Sequence, residues 1–103
     1  MKPRNSDLVV LASAVAKAGK EHELESALRA AAAPTRAQRG CVDFLLIRCR
    51  DDPHTVIAVE RWASQADHDA HLQGQHVKDL MQRLQTILAE PPAISACEIL
   101  DCV

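Results

Sequence analysis

The sequence predicts an α+β domain with the element order β-α-β-β-α-α-β, and three observations carry the prediction. Apolar runs of strand length recur at Leu8 to Val15, Cys41 to Arg50, Thr55 to Trp62 and Ala93 to Asp101, with β-branched residues frequent among them. Segments of helical period fill the intervals after the first and third runs. Turn formers punctuate the joins: Gly19, Gly40, Pro53, Gly74 and Pro91-Pro92. Read as two β-α-β halves, this order gives the ferredoxin-like split βαβ arrangement, an antiparallel sheet with helices on one face.

Each element has its own local reason. Leu8 to Val15 is apolar at nearly every position, so both faces of that strand are expected to be buried. After Gly19, residues Lys20 to Arg39 place Leu24, Ala27, Leu28 and Ala31 on one helical stripe. Pro34 should bend or end that helix, because it lacks an N–H and crowds the preceding turn. Gly40 reopens the chain into the second strand, Cys41 to Arg50. Asp51-Asp52-Pro53-His54 is a hairpin turn, and Thr55 to Trp62 is the third strand. Ser64 is the expected N-cap of a short helix to about Leu72, with Asp67 in the acidic position of a capping box. Gly74 breaks that helix. A longer one follows, with Val77, Leu80, Met81, Leu84, Ile87 and Leu88 on one face, until Pro91-Pro92 stops it before a last strand, Ala93 to Asp101.

The 103 residues make one domain, with residues 1–6 expected to be a disordered tail. A sheet with helices on one face leaves its other face bare, and a second copy could cover it, so a homodimer is expected. The net charge of −2, with acids among the basic residues, gives no footprint for nucleic acid. No apolar run approaches the roughly 18–20 residues of a membrane span. Lys2 and Arg4 before Leu8 to Ala16 resemble the start of a secretory signal, but Asp7 interrupts the junction and removal would delete a strand. The expected location is the cytoplasm. Cys41, Cys49, Cys97 and Cys102 have no Cys-x-x-Cys spacing and are expected to be thiols in a reduced compartment. With one Phe, one Trp and no Tyr, aromatic stacking is left to Phe44 and Trp62.

Gly19-Lys20 after the first strand, Gly40-Cys41 opening the second, Glu60-Arg61-Trp62 closing the third and His71 on the short helix together resemble the antibiotic-biosynthesis monooxygenase family. Its members are small dimeric α+β barrel proteins, some of which oxidise aromatic quinols without a metal or organic cofactor. The resemblance covers nearly the whole chain. It implies a cofactor-independent monooxygenase acting on a small aromatic quinol or polyketide-type phenol, with molecular oxygen as co-substrate.

On that resemblance His71 is the candidate catalytic residue. An imidazole titrates near neutral pH and could take the proton of a quinol hydroxyl; packing at the Gly74 turn is the structural alternative. Glu60 and Trp62 share strand parity with Ala58 and Val56, so all four project to one face. Trp62 could stack on a flat ligand or simply fill core volume. Glu60 could orient His71 or pair with Arg48 or Arg61. Phe44 stands where many resembling sequences carry a Tyr, which removes a hydroxyl from any mechanism that needs one. Val42, Phe44 and Leu46 would line one apolar face, and Arg48 extends it, either to meet an anionic substrate or as a solvated arginine at the strand end. Trp62, Phe44, Glu60 and Arg48 are thus the candidate substrate-binding residues.

His22, His54, His68 and His76 are expected at the surface. His68 and His71 could share a metal at i, i+3 spacing, but no third ligand sits at a good interval, so no metal site is expected. The haem-degrading branch of the superfamily would need an Asn, a Trp and a His where this chain has Ala12, His71 and Met81, so haem degradation is not expected. The three glycines cannot build a dinucleotide loop. Two readings compete with the monooxygenase. One is an isomerase or degradation enzyme acting on a small keto- or phospho-sugar in the same pocket, favoured if Arg48 points inward. The other is a non-enzymatic small-ligand-binding dimer.

Overall fold

The computed structural model describes residues 7–102; the expected tail at 1–6 lies outside them. The elements are β1 (Leu8–Val15), α1 (Glu21–Arg36), β2 (Cys41–Arg48), β3 (Thr55–Trp62), α2 (Gln65–Leu72), α3 (Gln75–Leu84) and β4 (Ala93–Glu98). The strands form one antiparallel sheet in the order β2-β3-β1-β4. This is the ferredoxin-like α+β arrangement the sequence predicts. Among the described residues no helix is long and apolar enough to cross a membrane.

Register explains which side chains meet. Glu60 stands between Val10 and Phe44, and Ala58 between Ala12 and Leu46. Strand pleating then sends these residues to one face, beneath the helices. Val56, Ala58, Glu60 and Trp62 are all buried there. One expectation needs correction. A β-bulge between Cys41 and Asp43 shifts the register, so that Cys41 stands opposite Trp62. Cys41 therefore packs with Phe44 and Leu46 around Ala58 and Ala32, in the place expected for Val42.

Two helix boundaries also differ. Pro34 lies inside the last turn of α1, which continues to Arg36. So close to the end, the proline forfeits little beyond its own bond. The helix expected to run toward Pro91 ends at Leu84, because the chain turns back and Ala16 pairs with Leu88 in a β-bridge. Lys17 N–H donates to the Ile87 carbonyl at 2.9 Å and Ala89 N–H to the Val15 carbonyl at 2.8 Å. Ile87 still reaches the core, but from this turn. It joins Leu24, Ala27, Val56 and Leu84 there.

The opposite face of the sheet is bare. One row across it holds Leu45, Val59, Leu11 and Ser95, the next Ile47, Ile57, Ser13 and Ala93. Leu45 is 50% exposed, Ile47 41% and Leu11 39%. Within one chain β1 is thus buried on its helix side only, in place of both.

Candidate functional site

The layer between helices and sheet is built largely from alanine. Ala12, Ala14 and Ala58 on the sheet face Ala31 on α1, where larger side chains would close the gap. A cavity of about 210 Å³ remains. Val10, Phe44 and Glu60 complete its floor, with Ile94 and Pro92 at the β4 edge. Leu28 and Thr35 of α1 form one wall, and His68, His71 and Leu72 of α2 part of the other. Val77, Leu80 and Met81 of α3 close it. None of the chain's lysines or arginines lines the cavity among the described residues.

Its polar end is made by α2. Ser64 caps this helix: the Asp67 N–H donates to Ser64 Oγ at 3.1 Å, and Ser64 Oγ donates to Asp67 Oδ2 at 2.9 Å. The cap fixes where α2 starts, and one turn later the helix turns His68 and His71 inward. Both are buried. His71 rests on Trp62, with ring centroids 4.7 Å apart and planes inclined by 34°. Its Nδ1 lies 2.5 Å from Gln38 Oε1, and its Nε2 lies 3.8 Å from Glu60 Oε1. That same Glu60 oxygen accepts the Trp62 Nε1–H at 2.9 Å.

The electrostatics follow from burial. Removal from water pushes the His71 pKa down to about 4, with His76 and His68 adding repulsion, so the imidazole is neutral at pH 7 and keeps one unprotonated nitrogen. Burial raises the Glu60 pKa, and the Trp62 hydrogen bond partly opposes it. His68 is lowered by burial, against the pull of Asp69. What results is a largely apolar cavity whose polar end holds the His71 imidazole, uncharged at pH 7, beside the Glu60 carboxyl group and His68, an arrangement suited to moving a proton at the rim of a hydrophobic ligand.

The structure brings His71, Glu60 and Phe44 to the cavity. It puts Trp62 behind them: fully buried, this side chain supports His71 and Glu60 and does not line the space. Arg48 is elsewhere. Its Nη2 lies 2.6 Å from Glu25 Oε1, and it opens onto a separate groove between α1 and β2 with Arg29 and Arg36. Glu60 pairs with neither arginine named for it.

Sequence reasoning missed three contributors. His68, expected at the surface, is 5% exposed, and its ring centroid lies 6.0 Å from those of both Trp62 and His71. The i, i+3 spacing was the available signal, masked because the inward face of α2 is polar. His76, also expected at the surface, is half-buried; its ring centroid is 5.6 Å from that of His71, and its Nε2 hydrogen-bonds Thr35 Oγ1 at 3.2 Å. Gln38 lies 33 residues from His71, and no local pattern announces such a contact. Among the described residues no group of three or more His, Cys, Asp or Glu side chains is placed to hold a metal ion.

The structure is similar to several solved ones. It matches PA3566 from Pseudomonas aeruginosa with a TM-score of 0.87 at 28% identity, over 93% of this chain and 96% of that one. Against Rv0793 from Mycobacterium tuberculosis the TM-score is 0.87 at 26% identity, over 93% and 97%. NE2512 from Nitrosomonas europaea, a protein of unknown function, gives 0.86 at 28%, over 98% and 96%. Among curated proteins, none matches the chain. Residues 7–83 match the family model for antibiotic biosynthesis monooxygenase. With three quarters of its length matched, the chain belongs to the antibiotic biosynthesis monooxygenase family.

Proposed function

We propose that this protein is a monooxygenase that oxidises a small, uncharged phenol or quinol with molecular oxygen and without a metal or organic cofactor. The observation that carries the reading is a cavity that is apolar apart from one end, where a neutral His71 and Glu60 stand together. An apolar cavity of about 150 Å³ is known to take up benzene, so about 210 Å³ suits a substituted ring or two small fused rings. Leu28, Leu80, Met81 and Phe44 would hold the ring, and its hydroxyl would meet His71.

His71 would accept the hydroxyl proton or a hydrogen bond from it, raising electron density on the ring. The imidazolium that forms would be stabilised by Glu60 and by the phenolate itself. One electron then passes from the anion to oxygen, and the two radicals combine at a ring carbon. The peroxide takes back the proton held by His71, and loss of water, which carries off the hydrogen of that carbon, leaves one oxygen atom there as a carbonyl; the other departs in the water. The protein's part is deprotonation, orientation and exclusion of solvent. An inward Arg48 would have favoured the keto- or phospho-sugar reading, and the absence of a lining cation among the described residues works against it. We also propose that the bare sheet face pairs with that of a second copy, since its rows of leucine, isoleucine and valine would otherwise remain in water.

Oxygen uptake by the metal-free protein tests this, using uncharged naphthohydroquinones alongside sulfonated analogues and the His71→Ala variant. Uptake above autoxidation, restricted to uncharged substrates and reduced in the variant, is expected. Uptake that His71→Ala leaves unchanged would remove the proposed base. No uptake with any hydroquinone would overturn the reading.

A further inference from the structure

We propose that Gln38 is a positioning residue: it accepts the Nδ1 proton of His71 and so holds the imidazole as the tautomer whose unprotonated Nε2 faces Glu60 and the cavity.

A neutral imidazole has two tautomers, and the partner of one nitrogen decides which is present. Gln38 Oε1 stands 2.5 Å from Nδ1. An amide oxygen can only accept, so a hydrogen bond at this contact requires the proton on Nδ1. The other side of the ring agrees. Nε2 is 3.8 Å from Glu60 Oε1, too far for a hydrogen bond. A protonated Nε2 beside a buried carboxyl group would close that gap, yet this oxygen takes its hydrogen from Trp62 at 2.9 Å. The titratable groups facing the ring are Glu60 of β3, His68 of α2 itself and His76 of α3; Gln38, in the turn after α1, carries no charge.

Gln38 is itself held. Its N–H donates to the Thr35 carbonyl at 3.0 Å, and its carbonyl accepts the Cys41 N–H at 3.1 Å. Two residues on, Gly40 has φ +82°, and a Cβ there would come within 2.2 Å of the Asp67 side chain at the start of α2. The turn that carries Gln38 is thereby pressed against the helix that carries His71. A carboxylate in this position would hold the same tautomer but favour imidazolium; a neutral amide orients the ring and leaves it uncharged.

This inference rests on His71 being the proton acceptor for its kinetic consequence, but not for its test. Long-range ¹H–¹⁵N spectra of the ¹⁵N-labelled protein at pH 7 read the tautomer directly. For His71 the expected result is a protonated Nδ1 and an unprotonated Nε2. Gln38→Leu should shift the ring to a mixture or to the Nε2–H form. Gln38→Glu should retain the original tautomer and raise the His71 pKa. An Nε2–H ring in the unaltered protein, or a tautomer untouched by Gln38→Leu, would overturn the proposal. Where hydroquinone oxidation is measured, Gln38→Leu should lower kcat about ten- to hundredfold, by analogy with the loss met when the partner orienting a metal-bound histidine is removed. KM should change little, and Gln38→Glu should recover part of the loss. The spectra judge Gln38 even if no oxidation is found, so the two readings fail separately.

Discussion

His71 couples chemistry to stability through one equilibrium. Its folded pKa of about 4 lies below the ordinary value near 6.5, so the unfolded chain binds more protons between these limits. Stability contributed by the neutral ring is therefore full above pH 6.5 and is lost as pH falls toward 4, by on the order of 3 kcal/mol. His68, shifted the same way, adds to the loss. Glu60 acts in the opposite sense: its raised pKa favours the folded state below about 4.5, and that support fades as pH rises through the folded value. Urea denaturation from pH 7 to 4 should show falling stability, and Glu60→Gln should steepen the fall by removing the opposing group. A flat profile in Glu60→Gln, where the opposing group is gone, would mean that His71 is hydrated and not desolvated. At this scale the sequence was informative about His71, Glu60 and Phe44, whose strand parity and helix position follow from local geometry. It was silent on Gln38 and misleading on His68, because burial of a polar residue depends on what packs over it.

At the scale of elements, the turn from α1 to β2 and the start of α2 act together. Gly40 is left-handed, and a side chain there would overlap Asp67. The Ala63 N–H also donates to the Gly40 carbonyl at 2.8 Å. Gly40→Ala should cost more than the roughly 1–2 kcal/mol that a left-handed backbone costs an L-residue, because α2 must move. Gly40→Ala combined with Asp67→Ala should cost less than the sum of the two single changes, since the second relieves part of the overlap; additive costs in urea denaturation would refute the contact. Glycine at 40 was legible as a turn, and Ser64 with Asp67 as a cap. Their meeting across 27 positions was not.

The whole molecule is underfilled on one side of its sheet and uncovered on the other. The cavity exists because alanines face each other across the layer. Ala31→Leu should fill part of it, leaving the melting temperature unchanged or higher while lowering affinity for an uncharged aromatic ligand, as measured by fluorescence of Trp62 or by calorimetry. A drop of several degrees would instead mean that α1 and the sheet are already in full contact there. On the bare face, Leu45→Asp with Ile47→Asp should convert a dimer to a monomer in sedimentation experiments. A monomer before substitution would refute the pairing.

The sequence by itself determined the elements, their order and their faces, because helical period, strand alternation and turn formers are written within a few residues of one another. It located β1 and β3 to the residue. It erred where the signal was not local: the bulge that puts Cys41 in the place of Val42, the bridge from Ala16 to Leu88 that ends α3 early, the ion pair that draws Arg48 to Glu25. Only the tertiary structure decided that Trp62 supports His71 and does not line the cavity, and that His68, His76 and Gln38 gather around one imidazole. Such choices depend on contacts between residues tens of positions apart, whose free energy is set by packing and desolvation that no short window of sequence contains.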